Sequence, residues 1–342
     1  MKYDVVIIGA GPGGLHCGRV LAENGVRTLI LERKKLIGRK VCAGGITWRG
    51  LISTIPEQLI ERKFNRQVIT TRYQKTVIEE PVPIVATVNR TALGIYMAEQ
   101  AKTSGAEIIS GARAEEIENN RLVYRYNGTR HSAEFEFLVG ADGTNSLVRR
   151  YLGIENSRLK KGVGINYTVA DAGQDMIWNF DSGLFPGGYS WIFPHSDSTS
   201  AGAYIGTASC SIQSLKNGLG TWLSTHQVDT SGCRLEAEKI NYDYRGWNFK
   251  RFFLVGDAAG LASPLTGEGI NPAFVSGETV AQTIIDPSSK TDALNRIIER
   301  HRSHGKMLKT ASTSRILSTV LSEICIVLLR YRLINFERFE MV

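Results

Sequence analysis

Three short segments of this chain set carboxylates beside glycines: Gly9-Ala10-Gly11-Pro12-Gly13-Gly14 with Glu32 beyond it, Gly140-Ala141-Asp142-Gly143, and Gly256-Asp257-Ala258-Ala259-Gly260 running into Thr266-Gly267-Glu268-Gly269-Ile270. Glycines let backbone N–H groups approach a phosphate closely, and carboxylates at strand ends accept hydrogen bonds from sugar and polyol hydroxyls. The first segment alone indicates a dinucleotide. The three in this order indicate FAD held along its whole length. A fourth segment, Arg39-Lys40-Val41-Cys42-Ala43-Gly44-Gly45, carries a thiol between glycines and cations. Such a thiol can donate a proton, shape the electronics of a nearby ring, or simply pack.

These residues need particular elements behind them. The apolar run 3–8 reads as a strand ahead of the glycines, and 15–24 reads as a helix whose N-terminus faces the phosphates. A second strand over 27–31 delivers Glu32, eighteen residues past Gly14, to the adenosine ribose hydroxyls. The run 251–255 is a further strand that brings Asp257 to its end, toward the ribityl hydroxyls. Asn271-Pro272 reads as an N-cap followed by proline at the first helical position, starting a helix that continues through Ala281. Its positive end would face the flavin pyrimidine edge, where reduction builds negative charge. Between these, Asn89-Arg90 precedes a helix over 91–104, followed by a strand over 106–109.

The set resembles the FAD-dependent reductases of the geranylgeranyl reductase family, within the aromatic hydroxylase-like flavoproteins, from residue 1 to about 282. Two features carry the resemblance beyond the shared flavoprotein segments. The Lys40 to Gly45 stretch is similar to the Lys-x-Cys-Gly-Gly-Gly segment that lies over the flavin. Tyr189-Ser190-Trp191-Ile192-Phe193-Pro194, with Gly202 to Gly206 downstream, is similar to the family's YxWxFP signature on the substrate side. The resemblance implies cofactor contacts from Arg33, Lys40, Val41, Cys42, Ala43, Gly44, Arg90, the backbone of Ala114, Ala141, Gly143, Pro264 and Ile270, besides Gly9, Gly11, Pro12, Gly13, Gly14, Glu32, Asp142, Gly256, Asp257, Gly267 and Gly269 of the segments above. It implies catalytic positions at Cys42, Tyr189 and Trp191. Hydride from the flavin N5 would go to an isoprenoid carbon–carbon double bond, with a proton added to the neighbouring carbon. Ala43 stands where the family usually has glycine, and Gly94 where the helix after the flavin-binding arginine often has aspartate. The longer C-terminal region of many members has no counterpart here.

The expected fold is α/β: a Rossmann-type FAD-binding domain from 1–45, 85–155 and 245–290, interleaved with an antiparallel sheet substrate domain from 46–84 and 156–244, and a C-terminal helical region over 291–342. Alternating runs at 164–169, 176–180, 189–193 and 201–206 supply the sheet. On a strand, Tyr189, Trp191 and Phe193 share one face. Residues 291–310 read as a polar helix. Residues 316–329 form an apolar one, too short and interrupted to span a membrane, that either caps the substrate tunnel or touches a bilayer.

A chain of 342 residues, 42% of them hydrophobic and 35 of them glycine, suits two joined domains with a loop-rich nucleotide site. A net charge of +8 favours anionic ligands such as FAD or phosphorylated lipids. Nucleic acid is disfavoured because the cations are scattered except near Arg33 to Lys40, beside the expected pyrophosphate. The cysteines at 17, 42, 210, 233 and 325 form no CxxC pair, so neither a metal site nor a disulfide framework is expected, and a reducing cytoplasm is the default compartment. Strand residues from Tyr3 onward leave no cleavable signal peptide. Without a second glycine fingerprint, NAD(P)H would bind transiently, or ferredoxin or another small protein would donate electrons. A monooxygenase, a halogenase and an electron-relay flavoprotein are the competing classes.

Overall fold

A computed structural model describes residues 1–47, 55–154, 160–171, 173–206, 211–335 and 340–341. Cys210 lies outside the described residues. The first sheet has eight strands, with Phe252–Leu254, Thr129–Gly140, Lys2–Ile8, Thr28–Glu32 and Glu107–Ser110 parallel to one another in that order. Asn248–Phe249 closes one edge, and the hairpin Arg113–Glu118 with Arg121–Tyr126 extends from Thr129–Gly140. A parallel sheet is covered on both faces, which is why Val5, Val6 and Ile7 are all fully buried rather than alternating.

The helix Pro12–Glu23 begins at Pro12, before the expected Leu15, because proline is well suited to the first helical position. It packs against helix Ile270–Ile285 at backbone range: a Cβ on Gly277 would overlap the Gly13 carbonyl oxygen. That second helix corrects the expectation for Asn271 and Pro272. Its N-cap is Gly269, and both residues lie inside the first turn. The Asn271 side chain caps nothing; it donates from Nδ2 to the Met341 carbonyl at 2.6 Å, which a tertiary contact made more favourable than a local cap.

The second sheet has seven strands in the order Glu236–Asn241, Lys161–Val169, Thr199–Ile205, Gly188–Pro194, Met176–Asn179, Arg66–Thr70, Lys75–Glu79. All neighbours are antiparallel except Met176–Asn179 with Arg66–Thr70, which run parallel. A third, antiparallel sheet of Gly45–Thr47, Val85–Val88 and Ile60–Phe64 sits where the other two meet. Helices Asp292–Ala311 and Arg315–Arg330 follow, the latter packed against strand Lys75–Glu79. The chain returns at Glu340 and Met341, and Met341 is buried in the core beside the parallel sheet. No helix among the described residues is long and apolar enough to cross a membrane.

Candidate active site

The strand ends of the parallel sheet open on a single cavity of about 950 Å³, at the upper end of the range for small-molecule sites. Every residue singled out from the sequence as cofactor-binding or catalytic lines this cavity, except Gly44 and Pro264. Gly44 lies just behind the wall. Pro264 is buried away from it, and its carbonyl accepts a hydrogen bond from the Tyr204 hydroxyl at 3.0 Å.

Glycine is required at the phosphate end by backbone crowding. A Cβ on Gly14 would overlap the Gly9 carbonyl oxygen, and Gly9, at φ +107°, would meet the Ala141 carbonyl. Glu32 is held in place from both sides: Oε2 accepts from the Ala10 N–H and Oε1 from the Lys34 N–H, each at 2.8 Å. Asp257 is paired with Lys40, Nζ to Oδ2 at 2.8 Å. Burial opposes the Lys40 charge, but the Asp257 carboxylate outweighs it and holds the lysine above its ordinary value. Two residues of the cavity lining carry buried side-chain atoms with no hydrogen-bond partner among the described residues. The buried Nε and Nη1 of Arg90 donate to nothing, and Oδ1 of Asp142 accepts from nothing, while its Oδ2 accepts from the Leu147 N–H at 2.6 Å. Burial raises the Asp142 carboxyl despite its bonds to Ser146 and Leu147. Buried polar groups are ordinarily satisfied. An extended molecule with phosphates and hydroxyls fits these two orphans and the glycine cradle.

The far end is apolar and aromatic. Tyr189, Trp191 and Phe193 share one face of their strand, with ring centroids 5.7 and 6.2 Å apart in succession, and Phe64, Trp178, Phe180 and Tyr204 belong to the same cluster. The Tyr189 hydroxyl, whose ionisation burial pushes further up, donates to the Thr266 carbonyl at 2.7 Å. This bond ties the aromatic strand to the loop ahead of helix Ile270–Ile285. Trp191 Nε1 donates to Ser200 Oγ at 3.0 Å, so the indole is fixed by a polar pair behind the wall. Leu321, Cys325, Ile326 and Leu329 of helix Arg315–Arg330 close this end, so that the helix caps the cavity with one face. Cys42 and Ala43 line the cavity as well, and Ala43 packs against the aromatic cluster. The Gly44 N–H donates to Cys42 Sγ at 3.4 Å.

Sequence reasoning missed Glu268. It lies within a quoted segment, but no motif separated it from its glycines. Its carboxyl is pushed up to about 7 by burial, against the pull of the Met341 N–H, which donates to Oε2 at 3.0 Å, and with the push of nearby Glu340. His195 and Glu61 were missed as well. They pair at 2.5 Å across two sheets, a contact between residues 134 positions apart that no local pattern announces.

Together the fold and the site define an FAD-binding oxidoreductase with a glycine-cradled dinucleotide end and an apolar chamber beyond it. Residues 2–179 match the family model described as an FAD binding domain. The chain belongs to the geranylgeranyl reductase family of such flavoproteins. It is 30% identical to digeranylgeranylglycerophospholipid reductase 2 of Methanothermobacter thermautotrophicus, over 83% of this chain and 79% of that one. To the reductase of the same name from Methanopyrus kandleri it is 31% identical, over 94% and 88%. The crystal structure of a geranylgeranyl bacteriochlorophyll reductase-like protein from Thermoplasma acidophilum has the same fold, with TM-score 0.82 at 20% identity over 98% of this chain and 94% of that one. The flavin-dependent halogenase CmlS shares it more loosely, with TM-score 0.66 at 18% identity over 93% and 67%.

Proposed function

We propose that this protein reduces carbon–carbon double bonds of an isoprenoid chain, as the names of its reductase relatives indicate for them. The observation that carries the reading is the continuity of one cavity from the glycine cradle, past Cys42, to a chamber walled by Tyr189, Trp191 and the last helix. Gly9 to Gly14 would hold the pyrophosphate, Glu32 the adenosine ribose, Asp257 the ribityl chain, and Arg90 an oxygen of the cofactor. Reduced FAD supplies a hydride to the alkene when bound. The aromatic walls lay the hydrocarbon out and exclude water, so that little ordering is left to the reaction itself. Cys42, in the cavity wall, would give the neighbouring carbon its proton.

In this reading residues 1–45, 85–155 and 245–290 serve the cofactor, 46–84 and 156–244 serve the substrate, and 291–342 cover the chamber. Electrons come from NAD(P)H bound transiently or from ferredoxin or a similar small protein. The protein works in the cytoplasm, with peripheral contact to a membrane through the outward side chains of Ile316, Val320 and Ile324, which are 80, 47 and 51% exposed.

The test is anaerobic. Protein reduced with dithionite is mixed with prenyl diphosphates or unsaturated ether lipids, and flavin reoxidation is followed alongside product mass. A gain of two hydrogens per reoxidation supports the reading; reversible reduction with no alkene consumed, or a hydroxylated product in a parallel reaction given oxygen and NAD(P)H, replaces it. Cys42→Ala is expected to keep its yellow FAD and lose alkene reduction by about 100-fold, in the range for a positioned acid. Unchanged turnover removes the proton-donor role.

A further inference from the structure

The Cys42–Gly45 segment, strand Ile60–Phe64 and the end of strand Gly188–Pro194 meet at one side chain, His195. Its Nδ1 lies 2.5 Å from Glu61 Oε2 and its Nε2 lies 3.1 Å from the Ala43 carbonyl oxygen. The two side chains are 13 and 18% exposed. Both neighbours accept hydrogen bonds. A neutral imidazole carries one N–H and serves one of them, whereas an imidazolium donates to both. A carboxylate holds a proton about two pH units less tightly than an imidazole does, so the shared proton belongs to the ring.

The surroundings agree. Burial by itself would strip the ring of its charge, but Glu61, the Ala43 carbonyl and Asp197, in the turn after the strand, outweigh it and hold His195 above the ordinary histidine value. Arg62, the cation next to Glu61 in sequence, is turned away to the Gly173 carbonyl. Cys42, the remaining titratable group of the segment, faces the cavity on the other side.

The ring also fills the space under the segment. A Cβ on Gly44, where φ is +77°, would stand 2.5 Å from His195 Cε1 and 3.0 Å from the Val88 carbonyl oxygen. Gly44 accepts from the Val88 N–H at 3.0 Å, and Thr87 Oγ1 donates to the Pro194 carbonyl at 3.0 Å behind it. On its outer side the segment is thus gripped by two sheets and one imidazole. Its inner side carries Cys42 and Ala43 into the cavity.

We propose that His195, charged through its pairing with Glu61, is the positioning residue that sets the Cys42-Ala43-Gly44 segment against the cavity, and that loss of its proton loosens the segment. The proposal rests on the FAD reading only for what the segment faces. Its sign follows from a proton bound more tightly in the folded protein: the clamp is complete at and below neutral pH and is lost as pH rises through the titration of the ring.

The test uses the FAD-loaded protein. Nitrogen-15 imidazole spectra report the His195 charge directly. The rate at which iodoacetamide labels Cys42, mapped by peptide mass, is followed against pH in the parent, Glu61→Gln and His195→Gln. The parent is expected to show an imidazolium at pH 7 and a labelling step where the ring loses its proton, beyond the ionisation of the thiol itself. In Glu61→Gln that step moves about one unit or more to lower pH. In His195→Gln the step is absent and labelling is several-fold faster throughout, with FAD retained. A neutral ring in the parent at pH 7, or labelling curves of both variants that superimpose on the parent's, overturns the proposal. Because neither readout needs turnover, labelling differences without any alkene reduction would discard the reductase reading and leave this one standing.

Discussion

The two ends of the cavity use glycine for opposite purposes. At the dinucleotide end the absent Cβ makes room for backbone: Gly14 against the Gly9 carbonyl, Gly9 against Ala141, Gly277 against Gly13. At the aromatic end it makes room mainly for rings: Gly162 against Tyr204, Gly45 against Phe193, and Gly202 against Trp191 together with the Ile165 carbonyl. Backbone inside a parallel sheet and a helix pair has nowhere to go, because moving it breaks hydrogen bonds along a whole element. A ring can turn or shift by a few tenths of an ångström at moderate cost. The cofactor end is therefore a rigid mould, and the chamber beyond it a surface whose shape can vary with a few substitutions.

Gly14→Val is the most severe test of this contrast: it should destabilise the protein by about 3 kcal/mol or more and yield colourless material, seen as loss of flavin absorbance in the purified fraction. Gly162→Ala, which presses on the Tyr204 ring, should cost about 2 kcal/mol by chemical denaturation yet retain full FAD stoichiometry. Equal flavin loss in both variants would erase the distinction between the ends.

Glu268 lines the same cavity, and its raised carboxyl gives a pH signature. The folded protein holds this proton more tightly than the unfolded chain does, so stability should fall as pH rises from the ordinary glutamate range toward about 7 and level off above it. Glu268→Gln should flatten that slope, removing about 1.5 kcal/mol of variation once solvent screening is allowed for, as measured by denaturation midpoints across the range. An unchanged slope would assign it to other groups. The smallest effect is expected from Tyr189→Phe, which deletes the bond to the Thr266 carbonyl that links the two ends. It should cost about 1 kcal/mol or less, lower the unfolding temperature by a few degrees and leave FAD in place.

Much of this was legible in the residues because the cofactor end is written locally. A strand, a glycine turn and a helix are neighbours in sequence, so Lys2–Ile8, Pro12–Glu23 and Thr28–Glu32 follow from hydrophobic runs and turn chemistry with boundaries off by a few residues at most. The aromatic face of Gly188–Pro194 follows from strand alternation in the same way. Asn271 shows the limit: its local signal as a cap was sound, yet the buried Met341 carbonyl, seventy residues on, claimed its side chain.

The amino-acid order alone thus determined the dinucleotide mould, the carboxylates at its strand ends and the existence of an aromatic strand, since each depends on residues within a few positions of one another. Only the tertiary structure decided that Lys40 pairs with Asp257, that Arg90 and Asp142 carry buried unsatisfied atoms in the cavity lining, and that His195 joins Glu61 to the Cys42 segment. Those contacts join elements far apart along the chain. Their strength comes from burial and charge in a place that exists only after the sheets have met.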